Sequence, residues 1–367
     1  MFVFQIKGWI CGKISVMLLD RFFNFFTYDL GIDLGTSNTL FYVVGKGVAV
    51  REPTVVGRNK KTKEIIAVGS EAKKMTGRTP GQLEVIRPLK NGVISDYDAT
   101  VAMLSYYIKS LHQSRGFHIK IPRPKVVIGI PTGVTEVERK AVQDAALDAG
   151  ARKAFLIEEP TATAIGSNLP IFDPAGALIV DVGGGTTELA VISLGGIVIN
   201  KSLGVAGDEM DEAIINYIRL KYSVLIGLPS AEVLKVQIGS VVGQKGIDDK
   251  QMIVRGRDLG TGLPRSLRIN SGEIREALVP LVNQIISAIS DIIEEVPPEL
   301  LGDLTQKGIY LSGGVALLAG FAQLVTESIK MPCFLVEDPL TAVVKGCARV
   351  LEDERLLQKV RVTGGVK

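Results

Sequence analysis

Ala177-Leu-Ile-Val-Asp-Val-Gly-Gly-Gly-Thr-Thr-Glu188, running on into Leu189-Ala-Val-Ile-Ser193, decides how this chain folds. An apolar run ends at an Asp, a Gly-rich turn with hydroxyls follows, and a second apolar run begins. Such a pattern predicts a strand, a turn of small residues whose backbone N–H groups can approach an anion, and a second strand. It occurs once more, at Gly31-Ile-Asp-Leu-Gly-Thr-Ser-Asn38 before Thr39-Leu-Phe-Tyr-Val-Val44. Asp33 and Asp181 stand 148 residues apart. A repeat at that separation predicts two related α/β halves, since a solenoid would repeat every ~20–50 residues.

Outward from these turns, apolar strands alternate with helical patterns. Lys125–Pro131 and Phe155–Ile157 read as buried strands, and Asp98–Leu111 and Thr135–Gly150 as helices. Glu158-Glu159-Pro160 leads into a helix over Thr161–Ser167. The second half carries helices over Asp208–Tyr222, Ser230–Ile238 and Ser271–Glu295, the last interrupted by Pro280. Gly308–Leu311 reads as a strand, Gly313-Gly314 as a third Gly turn, and Ala316–Ile329 and Leu340–Leu357 as helices. Lys60, Lys61 and Lys63 fall between two short apolar runs, which predicts a solvated hairpin turn rather than a nucleic-acid site.

The 367 residues are 46% apolar and 22% charged, with a formal charge of +3. That length suits two domain-sized cores, and so small a net charge gives no case for nucleic acid as a partner. Cys11, Cys333 and Cys347 form no C-x-x-C pair, and His112 and His118 lie near no carboxylate or thiolate pattern. A disulfide framework and a zinc site are therefore not expected, and the two histidines read as surface or loop residues. Chemistry must then rest on carboxylates, hydroxyls, backbone amides and a bound ion.

The N-terminus differs from the rest. Eight of the chain's 21 aromatic residues fall in the first 28: Phe2, Phe4, Trp9, Phe22, Phe23, Phe25, Phe26 and Tyr28. Lys7, Lys13, Asp20 and Arg21 break this stretch into pieces too short for the ~20 apolar residues of a spanning helix. From Val16 to Phe26, Leu18, Leu19, Phe22, Phe23 and Phe26 share one helical face opposite Asp20, Arg21 and Asn24. An amphipathic helix lying on a membrane surface fits this pattern; a helix packed on the protein's own core is the alternative.

The paired turns suit a polyphosphate bound across a cleft. Two carboxylates facing that anion require a divalent cation between them, and Mg2+ held partly through waters is the natural choice. Neither turn ends in the Gly-Lys-Ser/Thr of a Walker A loop.

These residues, with Glu52-Pro-Thr-Val-Val56, Gly77-Arg-Thr-Pro-Gly81, Ile86-Arg-Pro-Leu-Lys-Asn-Gly-Val-Ile94 and Leu156-Ile-Glu-Glu-Pro160, resemble the actin, sugar-kinase and heat-shock-chaperone ATPase superfamily. Within it the chain resembles the MreB family of bacterial actins, from about Asp29 to Leu351. The resemblance implies an α/β, actin-like ATPase fold of two related domains around a nucleotide cleft, each with a smaller subdomain. Residues 1–28 would be the membrane-binding segment. Residues 29–165 plus 338–367 would form domain I (small subdomain about 53–90), and 166–337 domain II (small subdomain about 205–262).

By the same resemblance, Thr36, Ser37 and Asn38 would contact the nucleotide phosphates from one loop and Gly183, Gly184 and Gly185 from the other. Asp33 and Asp181 would hold the Mg2+ water shell, and Glu159 and Thr186 would position the attacking water. Glu158 and Thr187 are the neighbouring alternatives for those two roles. Glu232 and Lys235 would sit at the adenosine; the plain alternative is a surface ion pair between them. Gly313, Gly314, Val315 and Ala316 would pass under the base and ribose. The implied activity is slow ATP hydrolysis that times polymerisation, with ATP and Mg2+ as cofactors. Implied partners are further copies of the chain in antiparallel filament pairs, the inner face of the cell membrane, membrane-bound elongation proteins and wall synthases.

Four departures from the family pattern stand out. Ser37 replaces the usual Ala, Leu228-Pro229 replaces Glu-Arg, Val315 replaces a third Gly, and Cys347-Ala348 replaces a Gly-rich pair. Rival readings are a chaperone ATPase, which needs a substrate-binding domain beyond Lys367, a small-molecule kinase, a division protein of the same fold, and an adaptor without Glu159 and Thr186. The presence of both residues argues against the last.

Overall fold

The computed structural model describes residues 27–113, 123–243 and 250–362. The helix expected over Val16–Phe26, His118 and the C-terminal residues 363–367 lie outside the described residues.

The first domain opens with the hairpin β1 (Leu30–Leu34) and β2 (Asn38–Val43), and β3 (Gly47–Pro53) adds antiparallel to β2. A small sheet of β4 (Val56–Asn59), β5 (Ile65–Val68) and β6 (Leu83–Ile86) carries the short helix α1 (Ser70–Met75). The pair β7 (Leu89–Lys90) and β8 (Val93–Ile94) leads to α2 (Tyr97–Gln113). β9 (Lys125–Ile130), α3 (Glu136–Asp148) and β10 (Lys153–Glu158) follow as a βαβ unit, and α4 (Glu159–Gly166) leaves the sheet. Helix α3 begins where Thr135 and Glu138 close a capping box, as that spacing predicts. The main sheet runs β10-β9-β1-β2-β3, with β9 and β10 parallel to β1.

The second domain repeats this plan. β11 (Ala177–Val182), β12 (Thr187–Ser193) and β13 (Gly196–Leu203) form the antiparallel part, followed by α5 (Gly207–Tyr222). A small sheet of β14 (Val224–Leu225), β15 (Gln251–Asp258) and β16 (Pro264–Asn270) goes with α6 (Leu228–Ile238). Helices α7 (Ser271–Glu295) and α8 (Pro298–Lys307), strand β17 (Ile309–Ser312), α9 (Phe321–Ile329) and β18 (Cys333–Leu335) complete it. The order β13-β12-β11-β17-β18 reproduces that of the first sheet, strand for strand. The repeat in the sequence is thus a repeat of structure. Asp33 stands one residue before the end of β1, beside Gly129 of β9, and Asp181 one residue before the end of β11, beside Ser312 of β17.

Helices α4 and α10 (Ala342–Glu352) cross between the two sheets, and α11 (Glu354–Val360) closes the described chain. Their crossing is as close as backbones allow: a Cβ on Gly346 would lie 1.9 Å from the Ala162 carbonyl oxygen. Around it, Val127, Ile157, Ala162, Ile179, Ala190, Val343, Cys347 and Val350 form a core shared by both domains. Each domain also has its own core. Helix α7 is long and apolar enough to cross a membrane by composition alone. Its Ile274, Leu278, Val282, Ile285 and Ile289 instead pack into the second domain, where each buried aliphatic side chain contributes ~1.5–3 kcal/mol.

Several expectations change. The helix expected over Ala316–Ile329 is two pieces, a 3-10 turn at Val315–Leu317 and α9, because Gly320 takes φ 82° between them. The final helix breaks at Asp353, whose carboxylate accepts from the Arg355 and Leu356 amides as an N-cap. Pro280 does not interrupt α7, which is continuous over 25 residues. The second small sheet runs on to Asn270, past residue 262. His112 is neither a surface nor a loop residue: it is buried on α2, with Nδ1 bonded to the Ile108 carbonyl at 2.7 Å and Nε2 accepting the Tyr28 amide at 3.1 Å.

Candidate functional site

A cleft of about 610 Å3 opens between the domains, with the two Gly turns at its centre. On the first side, Thr54 Oγ1 donates to the Gly35 carbonyl at 2.6 Å and Thr36 Oγ1 accepts the Gly92 amide at 2.8 Å. On the second, the Gly183 amide donates to the Thr186 carbonyl at 2.9 Å and tightens the turn. The turns touch each other. A Cβ on Gly184 would lie 2.1 Å from Ser37 Oγ, and one on Gly185 2.5 Å from Thr36 Oγ1. Only glycine permits that approach, which explains the Gly-Gly-Gly run in physical terms.

Four carboxylates crowd the floor. Asp33 is pushed up to about 7, first by desolvation and then by the charge of Asp181. Desolvation raises Asp181 too, opposed by hydrogen bonds from Thr163, at 2.8 Å, and Ser312. Glu159 lies well above the usual carboxylate range because it is desolvated beside Glu188, Asp33 and Asp181. Burial also raises Glu188, opposed by the Ser202 hydroxyl at 2.5 Å and by Thr132. Glu158, next in sequence, points elsewhere: it is half-buried and feels Arg139. The fold therefore separates the two glutamates and puts Glu159 in the cleft.

Helix α6 supplies the far wall. Lys235 does not pair with Glu232. Its Nζ lies 2.8 Å from Asp211 Oδ1 and donates to the Gly207 carbonyl at 2.5 Å. Glu232 instead reaches across the cleft to Lys73 of α1, at 2.6 Å. Met210, Val236, Val315, Leu317, Leu318 and Leu340 add an apolar lining. Gly313 sits under this wall at φ 84°, where a Cβ would lie 2.2 Å from the Val182 carbonyl oxygen.

Of the residues singled out from the sequence, Asp33, Thr36, Ser37, Asn38, Glu159, Asp181, Gly183, Gly184, Gly185, Thr186, Glu232, Lys235, Gly313, Gly314 and Val315 all line the cleft. Ala316 does not: it turns into the core of the second domain, 5% exposed. Sequence reasoning missed Asp208, Asp211, Gly92, Thr132 and Glu188. Glu188 closes the very stretch that decides the fold, and Asp208 and Asp211 share one face of the helix that follows. Those spacings were the available signals; Thr132 had none.

The description "MreB/Mbl protein" belongs to a family model matching residues 27–359. The cell shape-determining protein MreB of Escherichia coli (strain K12) is 46% identical over 339 residues, 91% of this chain and 96% of that one. Among solved structures, MreB5 of Spiroplasma citri bound to ADP superposes with a TM-score of 0.84 at 36% identity, over 90% of this chain and 98% of that one. A MamK double helical filament superposes with a TM-score of 0.74 at 25% identity, over 89% and 99%. Two like sheets, a cleft with paired Gly turns and a family match over nearly the whole described chain lead to one assignment: the chain belongs to the MreB/Mbl family of actin-like, cell shape-determining proteins.

Proposed function

We propose that this chain binds and slowly hydrolyses ATP with Mg2+, polymerises through that cycle, and organises peptidoglycan synthesis from the inner face of the cell membrane. The observation that carries the reading is the facing pair of Asp-bearing Gly turns, close enough to grip one polyphosphate from both sides. The ADP held by the Spiroplasma relative and the filament formed by MamK support it.

In this reading Thr36, Ser37 and Asn38 hold phosphate oxygens from the first domain and the Gly183–Gly185 amides from the second. Asp33 and Asp181 hold Mg2+. Their hard oxygen donors and mutual repulsion suit a divalent ion. Among the described residues no three ligand side chains converge on one point, so water completes its shell. The ion, when bound, neutralises charge on the phosphates. Glu159 accepts a hydrogen bond from the attacking water and Thr186 aligns it, since phosphoryl transfer to water needs orientation more than a strong base. Lys235, fixed by Asp211, and Glu232 flank the adenosine, and the apolar wall receives the base over Gly313, Gly314 and Val315.

The domains run over 29–165 with 338–367 and over 166–337. Residues 1–28 attach the polymer to the membrane, and repetition along a filament multiplies a weak single contact. Antiparallel pairing of filaments and contacts with membrane-bound elongation proteins and wall synthases complete the reading; nucleic acid has no part in it.

Electron microscopy and phosphate release on the purified full chain test this, with Mg-ATP and with or without anionic vesicles. Paired filaments lying on the vesicles, with slow phosphate release, are expected. Monomers that release no phosphate under every condition would overturn it.

A further inference from the structure

Among the contacts that join the domains along the cleft, four side-chain contacts share one polarity. In each of these four the donor belongs to the first domain and the acceptor to the second, whereas the Gly313 amide donates the other way, to the Pro339 carbonyl at 3.1 Å. At the floor Thr132 donates to Glu188. At the Gly turns Ser37 Oγ donates to Asp208 Oδ1 at 3.0 Å. Just outside them Arg87 Nη1 lies 2.7 Å from Asp208 Oδ2. At the mouth Lys73 Nζ reaches both oxygens of Glu232, at 2.9 and 2.6 Å. Asp208 is well placed to receive two donors. It sits in the first turn of α5, where unpaired N–H groups stabilise a carboxylate, and its amide is tied to the Gly184 carbonyl at 2.7 Å.

The two outer contacts are built to open. Lys73 and Glu232 are each 37% exposed on the side chain and Arg87 38%, whereas Asp208 is 19% exposed. Ion pairs this accessible exchange readily with water and weaken with salt. Lys73 stands on α1 and Glu232 on α6, the helices that go with the two small sheets, while Arg87 follows β6 and Asp208 sits at the start of α5. None of these four residues belongs to the core shared by the domains, so either contact can break without disturbing it.

We propose that Lys73 and Arg87 are positioning residues that latch the cleft shut through Glu232 and Asp208, and so set the rate at which nucleotide leaves. The proposal rests on the nucleotide reading given above. It also gives Glu232 a second duty and gives the Ser37 hydroxyl a purpose: a further grip on Asp208.

The test is release of radiolabelled ADP from the full chain, chased with unlabelled ADP, at low and high ionic strength. Wild-type release is expected to accelerate with salt. Lys73→Glu is expected to release ADP about fivefold faster at low salt and to lose most of the salt dependence. Lys73→Arg, which keeps a cation opposite Glu232, is expected to retain slow, salt-sensitive release. Arg87→Gln, at an independent contact, is expected to accelerate release by a similar factor. Wild-type rates in both Lys73→Glu and Arg87→Gln overturn the latch, as does a Lys73→Arg variant as fast as Lys73→Glu. Wild-type protein that retains no ADP overturns the nucleotide reading, and the latch with it.

Discussion

Thr132 and Glu188 join the domains at the floor of the cleft: Glu188 Oε2 accepts the Thr132 amide at 2.9 Å and its hydroxyl at 2.5 Å. With Ser202 on the other oxygen, these donors oppose the upward push of burial on Glu188 without cancelling it. Desolvation raises the Glu159 pKa first, and the neighbouring Glu188 carboxylate raises it further. Thr132→Val removes the hydroxyl and leaves the amide. Loss of one hydrogen bond to a buried carboxylate is expected to cost about 1.5–3 kcal/mol. Denaturant unfolding measures it, and an unchanged midpoint would show that the amide alone suffices.

Glu159 and Glu158 are adjacent in sequence but only the first enters the cleft. Glu159→Gln is expected to retain ADP and to lower phosphate release by about a hundredfold or more. Glu158→Gln is expected to release phosphate at the wild-type rate. Equal losses in the two variants would take Glu159 out of the mechanism.

The floor carboxylates make the ligand-free protein sensitive to pH. Asp33 is raised from 3.8 to about 7, and Asp181, Glu159 and Glu188 are raised as well. Folded protein therefore binds more protons than unfolded protein between those limits. The stability this confers at acid pH is lost as pH rises through about 7. Melting temperature in EDTA without nucleotide is expected to fall over that interval, and Asp33→Asn to flatten the slope. Mg-ADP is expected to flatten it in the wild type. A melting temperature that rises over the same interval would contradict this account of the floor.

Lys235 and Lys73 both pair with acids across the cleft wall, in unlike surroundings. Asp211 is almost fully buried against Lys235, so Lys235→Met strands a carboxylate and is expected to cost about 3 kcal/mol. Lys73→Met leaves only an exposed Glu232 and is expected to cost under ~1 kcal/mol. Asp211 is raised to about 6 by burial, with Lys235 holding it down. Without Lys235 the acid titrates above about 6 and protonation relieves it, so the Lys235→Met deficit is expected to shrink as pH falls toward 6. Urea titrations of both variants at two pH values separate the cases.

Gly346 has no room for a methyl group against the Ala162 carbonyl. Gly346→Ala must push α4 and α10 apart, and a destabilisation of about 1–3 kcal/mol or more is expected. Thermal melting with and without ADP reads both the loss and its effect on the cleft. Wild-type melting would contradict so close a crossing of α4 and α10.

Local chemistry carried much of this protein in plain view. The two Asp-Gly turns, 148 residues apart, announce a duplicated hairpin because small residues and a terminal carboxylate serve the same purpose wherever they recur. The Thr135–Glu138 capping box marks a helix start for equally local reasons. Breaks at Gly320 and Asp353 escaped because an apolar pattern continues across a change of backbone direction without losing its period.

What the sequence by itself determined is the inventory: the repeat, the α/β class, and nearly every residue that lines the cleft. These follow from spacing along one chain, which residue size, polarity and backbone preference report directly. Tertiary structure alone decided who partners whom. It turned Ala316 into the core, chose Glu159 over Glu158, buried His112, and sent Lys235 to Asp211 and Glu232 to Lys73. Such choices depend on which distant segments share a low-dielectric space, and no spacing between neighbours in sequence encodes that distance.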